Sequence, residues 1–295
     1  MENETILAGL DPEVMDEVTS RRGALLGMGR LSAKLALASA PLAVAAMARQ
    51  AFAQTSLPAN IVAVLNFALI LEELESEFYT IATGGMAMSG GAVVTTLIPS
   101  QDRPIFDTLR DHEQAHVRFL RQTLGSQAVA KPTFDFTAGG AFPDVFTNYA
   151  TFLTLSQAFE DTGVRAYKGQ APNLFANKDI LEAALRIHSV EARHASEVRR
   201  LRGNFSEQAP QKGWITGNQS GGAPAAVYAG EENVQQGAPP APAPGINVAT
   251  LPAVTGATVT PAVAAATAAS EAFDEPLTRA QVVAIVDPFI VEPIS

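Results

Sequence analysis

The sequence predicts an all-α fold: a four-helix bundle with one long crossover, continued by an extended C-terminal segment that ends in a short helix. Three observations predict it. Four stretches carry apolar residues at helical spacing, each with an acid in the middle of its apolar stripe. Two of them contain Glu-x-x-His, at Glu113 and His116 and again at Glu191 and His194. On a helix that spacing sets carboxylate and imidazole on one face, one turn apart. The first two connections each run to about twenty residues, and the second is long enough to cross the end of a bundle.

Composition narrows the chemistry before any element is placed. With 295 residues the chain can bury a sizeable core. A formal net charge of −10 argues against nucleic acid as a partner, which calls for a basic stripe, and against an anionic membrane surface. There is no cysteine, so disulfides, thiolate zinc sites and iron–sulfur clusters are excluded. Histidine and carboxylate are left as metal ligands.

Residues 1–53 have the pattern of a twin-arginine export signal. Ser20-Arg21-Arg22 precedes an apolar run over 35–48, and Ala51-Phe52-Ala53 matches a small-residue cleavage site. Two features depart from the usual pattern: the residues before Arg21 are net acidic, and Ala24 stands where a bulky apolar residue is common. Arg30, Lys34 and Pro41 interrupt the apolar region, so no membrane span is expected in the mature form. The expected location is the periplasm or outside the cell. The alternative is a retained amphipathic helix.

The bundle is expected over residues 57–203. Its first helix covers 61–82, with Asn60 as N-cap and Leu65, Ala68, Glu72, Glu75 and Tyr79 facing inward. The second begins near Pro104, after Asp102, and stops before Gly125, with Phe106, Leu109, Glu113, His116 and Leu120 inward. The third covers 144–168 and ends at Gly169; its face is Tyr149, Leu153, Ser156, Glu160, Val164 and Tyr167. The fourth covers 178–201, stopped by Gly203, and shows Leu181, Ala184, His188, Glu191, His194 and Val198. Over 204–295 the Pro-Ala tract at 239–244 and an Ala/Thr/Val run to Ala269 lack a sustained period, which predicts an extended or partly disordered stretch. Thr278 and Gln281 form a capping box that opens a short helix through Val286. Phe273, Val282, Val283, Ile285, Phe289 and Ile290 give this terminus an apolar face, expected to dock on the bundle or on a second subunit.

A carboxylate inside an apolar stripe is costly without a compensating charge. No Lys or Arg occupies the inward positions, which leaves a bound cation as the partner. The predicted metal ligands are Glu72, Glu113, His116, Glu160, Glu191 and His194. Four carboxylates balance two divalent ions. In the usual arrangement Glu113 and Glu191 bridge, Glu72 and Glu160 are terminal, and each ion takes one histidine. Mixed oxygen and imidazole ligation suits two iron ions, with manganese as the alternative. Such a pair exchanges two electrons with dioxygen or peroxide, the expected small-molecule substrates, and no catalytic residue is assigned beyond the ligands. Tyr79 lies two turns from Glu72, and Glu75 one turn from it, as a supporting or alternative ligand. His112 and His188, on ligand-bearing helices, are candidates to orient ligands. His112-Glu113-Gln114-Ala115-His116 also spells the zinc-protease motif. That alternative leaves Glu72, Glu191 and His194 without a role and needs a sheet beside the helix.

Several stretches together resemble the ferritin-like domain family that includes plant desiccation-related proteins and many exported bacterial proteins. They are Leu65-Asn66-Phe67-Ala68-Leu69, Leu74-Glu75-Ser76-Glu77-Phe78-Tyr79, Asp111-His112-Glu113-Gln114-Ala115-His116-Val117, Pro132-Thr133-Phe134-Asp135-Phe136, Phe159-Glu160-Asp161-Thr162-Gly163-Val164 and Glu191-Ala192-Arg193-His194-Ala195. The resemblance covers roughly 57–202 and implies a ferritin-like four-helix bundle with a dinuclear metal site. The tyrosine seven residues after the helix-one glutamate is similar to the pattern of bacterioferritin- and rubrerythrin-type bundles, which favours Glu72 over Glu75 as ligand. The resemblance assigns no activity. Oxidase, ferroxidase, peroxide-scavenging and manganese-catalase-like reactions fit the ligands, in oxidative or desiccation stress. So does a non-catalytic stress or envelope protein whose bundle is stabilised by metal. A homo-oligomer is compatible with the sequence. A closed storage cage is disfavoured, because the glycine-rich loops and the C-terminal extension would have to fit its shell.

Overall fold

The computed structural model describes residues 57–85, 96–205, 212–236, 246–250 and 261–292. The export-signal region, Gly90-Gly91 and the Pro-Ala tract lie outside the described residues. Four long helices form the bundle: α1 (Ala59–Ala82), α2 (Arg103–Leu124), α3 (Tyr149–Gln170) and α4 (Lys178–Phe205). Among the described residues no helix is long and apolar enough to cross a membrane.

The helix ends show which local signals won. α1 follows Pro58, whose carbonyl accepts from Val62 N at 3.0 Å, so Asn60 lies exposed in the first turn and is not the cap. α2 carries Pro104 in its first turn, where the missing N–H costs nothing, and stops at Gly125 with φ +54°. α3 starts at Tyr149, later than the periodicity predicts. The Asn148 side chain accepts from the backbone N–H groups of Ala150 and Thr151, and Asp144 belongs to the preceding turn. α4 runs through Gly203 to Phe205. One glycine costs a helix only about 1 kcal/mol, less than packing against α3 returns.

Neighbouring helices run antiparallel. Arg121 reaches Glu73 (2.6 Å) while Gln114 reaches Thr80 (3.3 Å), which fixes α1 against α2. Arg199 to Asp161 (2.9 Å) and Arg202 to Gln157 (2.6 Å) fix α3 against α4. Between the two pairs, residues 125–148 carry the chain the length of the bundle. Asn66 holds this crossover at Gln127 O and Val129 N (both 2.9 Å), and Lys131 holds it at Glu77 (2.6 Å). Its Phe134 and Phe136 belong to the core with Phe78 and Phe159.

The C-terminal segment packs on the bundle of its own chain. Residues 261–272, expected to be extended, form α5 (Pro261–Ala272), because a run of alanines favours helix without any amphipathic period. Gln235–Gln236 pairs antiparallel with Ile246–Asn247. α6 (Arg279–Val286) has both halves of the predicted capping box. Leu277, Val282, Ile285, Val286, Phe289 and Ile290 join the bundle core, whereas Phe273 stays exposed beneath Lys168, whose Nζ is 5.8 Å from the ring centre. The chain end is stitched to the crossover by Asp135 N to Phe289 O and Val291 N to Thr133 O (both 2.9 Å).

Gly169 has a different role from the helix stop its sequence position suggests. α3 continues past it, and Leu277 N donates to Arg165 O at 3.1 Å alongside. A Cβ on Gly169 would lie 1.9 Å from Leu277 O, so only glycine lets the extension seat there. Gly169→Ala is therefore expected to destabilise the protein by about 1–3 kcal/mol, because overpacking against backbone outweighs the gain in helix propensity. The check is a lower thermal midpoint together with faster proteolysis between α5 and α6.

Candidate metal centre

Each bundle helix delivers one glutamate to a common level. Glu72, Glu113, Glu160 and Glu191 are 0% exposed, and His116 and His194 are 1% exposed. Local sequence explains the placement: every one sits in an apolar stripe, as Glu72 does between Leu65, Leu69 and Tyr79, all buried. The acidic layer divides the core in two. On one side lies an aromatic cluster with Phe78, Tyr79, Phe106 and Phe152; on the other, an aliphatic one with Leu65, Leu120, Tyr167 and Ile187.

Two groups of donor atoms form in this layer. Glu72, Glu113, His116 and Glu191 each offer an atom within 4.8 Å of the others, and so do Glu113, Glu160, Glu191 and His194. Glu113 and Glu191 belong to both. His116 Nδ1 lies 3.0 Å from Glu72 Oε2, 3.1 Å from Glu113 Oε2 and 3.3 Å from Glu191 Oε1. His194 Nδ1 lies 2.8 Å from Glu113 Oε1 and 3.3 Å from Glu160 Oε2. These last contacts are close without being hydrogen bonds: His194 Nδ1, Glu113 Oε1, Glu160 Oε2 and both Glu191 oxygens have no hydrogen-bond partner. Buried polar atoms are nearly always paired. Atoms that crowd together without pairing are oriented toward a shared space, which is how ligands of a cation are disposed, so these residues fit a metal.

Among the described residues, the buried arginines are engaged elsewhere. Arg165 pairs with Glu231 (2.6 Å), Arg199 grips Asp161 through two nitrogens (2.9 and 2.6 Å), and Arg202 donates to Gln157 (2.6 Å). All three face the C-terminal segment: Arg165 donates to the carbonyls of Ala229 and Glu275 (both 2.8 Å), and Arg202 to that of Gly221 (2.6 Å).

Residues 60–204 match the model of the ferritin-like domain family. Over that stretch the chain belongs to this family. No curated protein and no solved structure matches the chain.

Around the donors, the ferritin-like domain places a brace from one helical pair onto the other. The Tyr79 hydroxyl of α1 donates to Glu160 Oε1 of α3 (2.5 Å), and the Tyr167 hydroxyl of α3 donates to Glu72 Oε1 of α1. His112 Nδ1 lies 2.9 Å from His194 Nε2, with the two rings stacked. Tyr167 is the residue that sequence reasoning left without a role. Its signal was available, since Tyr167 follows Glu160 by seven residues as Tyr79 follows Glu72. Gly163 was missed too: a Cβ there would come 2.9 Å from Glu191 Oε2 and 3.4 Å from Glu75 Oε1, so its bareness makes room for both carboxylates. Glu75 is buried beside the layer but belongs to neither donor group. His188 belongs to neither donor group; its Nδ1 is buried without a hydrogen-bond partner, and Asp274 and Lys168 lie near it. A zinc-protease arrangement needs His112 and His116 on one ion. Here His112 turns to His194 instead, and among the described residues the only strands are the two-residue pair far along the chain.

Protons take up the charge of this layer when no cation does. Burial pushes Glu72 from the ordinary 4.5 to about 7, against the pull of His116. Burial, then the charges of neighbouring glutamates, push Glu191 and Glu75 well above the ordinary range. Burial also disfavours charge on the two imidazoles, yet Glu72 and Glu113 raise His116, and Glu160 and Glu113 raise His194. Burial acts on Glu113 as well, but His194 and His116 flank it and hold it well below the ordinary range. Between pH 4.5 and 7 the unfolded chain ionises Glu72 while the folded chain keeps its proton, so stability is full below 4.5 and falls as pH rises to 7. Glu191, Glu75 and both histidines act in the same direction, and Glu113 opposes only below the ordinary carboxylate value. The thermal midpoint of chelator-treated protein is accordingly expected to drop as pH rises from 4.5 to 7, and Glu72→Gln to flatten the drop.

Proposed function

We propose that the ferritin-like domain holds two iron ions, with manganese as the alternative, and serves an oxidase, ferroxidase or peroxide-consuming reaction. The observation that carries this reading is the pair of four-donor groups sharing Glu113 and Glu191. Two donor groups with two common carboxylates are what a bridged pair of cations requires. Mixed carboxylate and imidazole donors without thiolate suit iron or manganese. When bound, such a pair supplies two-electron exchange with dioxygen or peroxide.

The chain's own residues set the terms. Glu113 and Glu191, common to both donor groups, would serve both positions, and Glu72 with His116, and Glu160 with His194, would complete one each. Tyr167 and Tyr79 fix the two terminal carboxylates by donating to their outer oxygens. With His112 Nδ1 against its Nε2, His194 would carry its proton on Nε2 when a cation is bound and turn its own Nδ1 to the centre. Four ionised carboxylates balance two divalent ions, and burial pushes the Glu75 carboxyl up, which disfavours a fifth charge. The twin-arginine pattern over residues 1–53 supports a reading in which the protein is exported to the periplasm or outside the cell, where we place its reaction in oxidative or desiccation stress. One observation favours a second, non-catalytic reading in which the metal only stabilises the bundle: all six donors are at most 1% exposed.

Elemental analysis of protein from its native compartment is expected to find two equivalents of iron or manganese per chain. A Glu113→Ala, Glu191→Ala double variant, shown by circular dichroism to stay helical, should lose both. One equivalent of zinc kept by that variant would overturn the reading. Gly163→Ala should fold normally, because the crowded atoms are carboxylate ends that can swing, yet bind metal about tenfold more weakly, since displaced ligands commonly cost that much. Titration of apo protein with Fe(II) checks it.

A further inference from the structure

The aliphatic side of the core is not completely filled. Beneath the acidic layer lies a cavity in which the centre of a water-sized sphere can move through about 20 Å³. All four helices wall it, through Ala68 and Leu71, Leu120, Tyr167, and Ala184 and Ile187. Val64, Ala68 and Gln170, all half-buried, mark where it approaches the surface. Its inner wall reaches the donor layer: Leu71 adjoins Glu72 in sequence, and the Tyr167 hydroxyl is bonded to Glu72 itself. Ala68 precedes Glu72 by four residues, Ile187 precedes Glu191 by four and Leu120 follows His116 by four, so these wall residues are offset from the donor residues by about one helical turn, ~6 Å along the axis.

The chemistry of the walls selects the guest. A stable water needs two to four polar partners. Among the lining residues only Gln170, near the surface, and Tyr167, already committed to Glu72, carry polar side chains. Peroxide would give up its hydrogen bonds to water at both ends and find none in return. A diatomic without hydrogen bonds to lose enters freely, as xenon and benzene enter dry engineered cavities.

We propose that this cavity is the access and holding site for an apolar diatomic oxidant, dioxygen, on its way to the metal centre. The inference rests on the dinuclear reading and deepens it, naming dioxygen rather than peroxide as the oxidant the protein is shaped to admit. The path ends at the Tyr167–Glu72 side of the layer, so the oxidant arrives beside the donor group containing Glu72 and His116.

The test uses full-length protein and xenon as the probe. Metal-free wild type under xenon pressure is expected to hold one xenon against Leu120, Tyr167 and Ala184, seen by crystallography or by shifts in their NMR signals. Ala184→Leu should exclude it. Ala68→Leu, at a half-buried wall position where the fold can absorb added bulk, should do the same if Ala184→Leu fails to fold. In Fe(II)-loaded protein the filled variants should slow oxidation by dioxygen about tenfold while oxidation by hydrogen peroxide stays at the wild-type rate. Absence of xenon from the wild type overturns the proposal, as does an equal loss of both oxidation rates or no loss of either. The two readings fail separately. Xenon in a protein that takes up no metal sinks the dinuclear centre and leaves the gas site standing, while two bound ions with no xenon sink the cavity proposal alone.

Discussion

Negative charge confined at one level of an apolar interior governs this molecule. Two unit charges 4 Å apart interact by about 4 kcal/mol at the effective dielectric of a protein interior, and a domain's whole stability is only about 5–15 kcal/mol. Glu72, Glu75, Glu113, Glu160 and Glu191 therefore cannot all be ionised side by side without protons or cations between them. The histidines supply part of the compensation and protonated carboxyls supply more. Neighbouring Glu160 and Asp161 make the contrast within one turn of helix. Asp161 faces the C-terminal segment and is answered by Arg199 and the Tyr228 hydroxyl (2.7 Å), whereas Glu160 faces the centre, with Tyr79 on one oxygen and no hydrogen bond on the other.

The rest of the architecture keeps that layer dry and fixed in place. Stacked and edge-on rings, such as Phe78 with Phe152 at 5.0 Å and Phe106 with Phe152 at 4.9 Å, close it on one side. On the α3–α4 flank the C-terminal segment is clamped by Arg165, Arg199 and Arg202, which satisfies buried guanidinium groups and covers the helices at once. Gly169 and Gly163 serve the same end by absence of bulk: one admits a backbone to the outside of α3, the other admits carboxylates to its inside.

Much of this was legible in the sequence because burial of a helix face imposes a period, and the four mid-stripe glutamates fall on it. Glu72, Glu113, Glu160, Glu191, His116 and His194 converge as their spacing predicts. What stayed hidden depends on contacts between distant residues. His112 and His188 look alike as histidines on ligand-bearing helices, but only the packing of α2 against α4 turns the first toward His194. Gly169 and Gly203 resemble helix stops and sit within helices, since tertiary contact overrides local preference. α5 escaped notice because its alanines favour helix by propensity and carry no amphipathic signature. The match over 60–204 agrees with the resemblance carried by the motifs, and the residues beyond it were the harder ones to place.

The cross-bracing between helical pairs has a consequence for how the protein is made. Each donor group takes three residues from one pair and borrows a glutamate from the other, and each tyrosine anchors its opposite number. Neither α1–α2 nor α3–α4 holds a finished set by itself. Closure of the bundle and creation of the donor layer are thus a single event, and a guest cation there would be a keystone: it would bear on both halves of the arch and be seated only once both are standing.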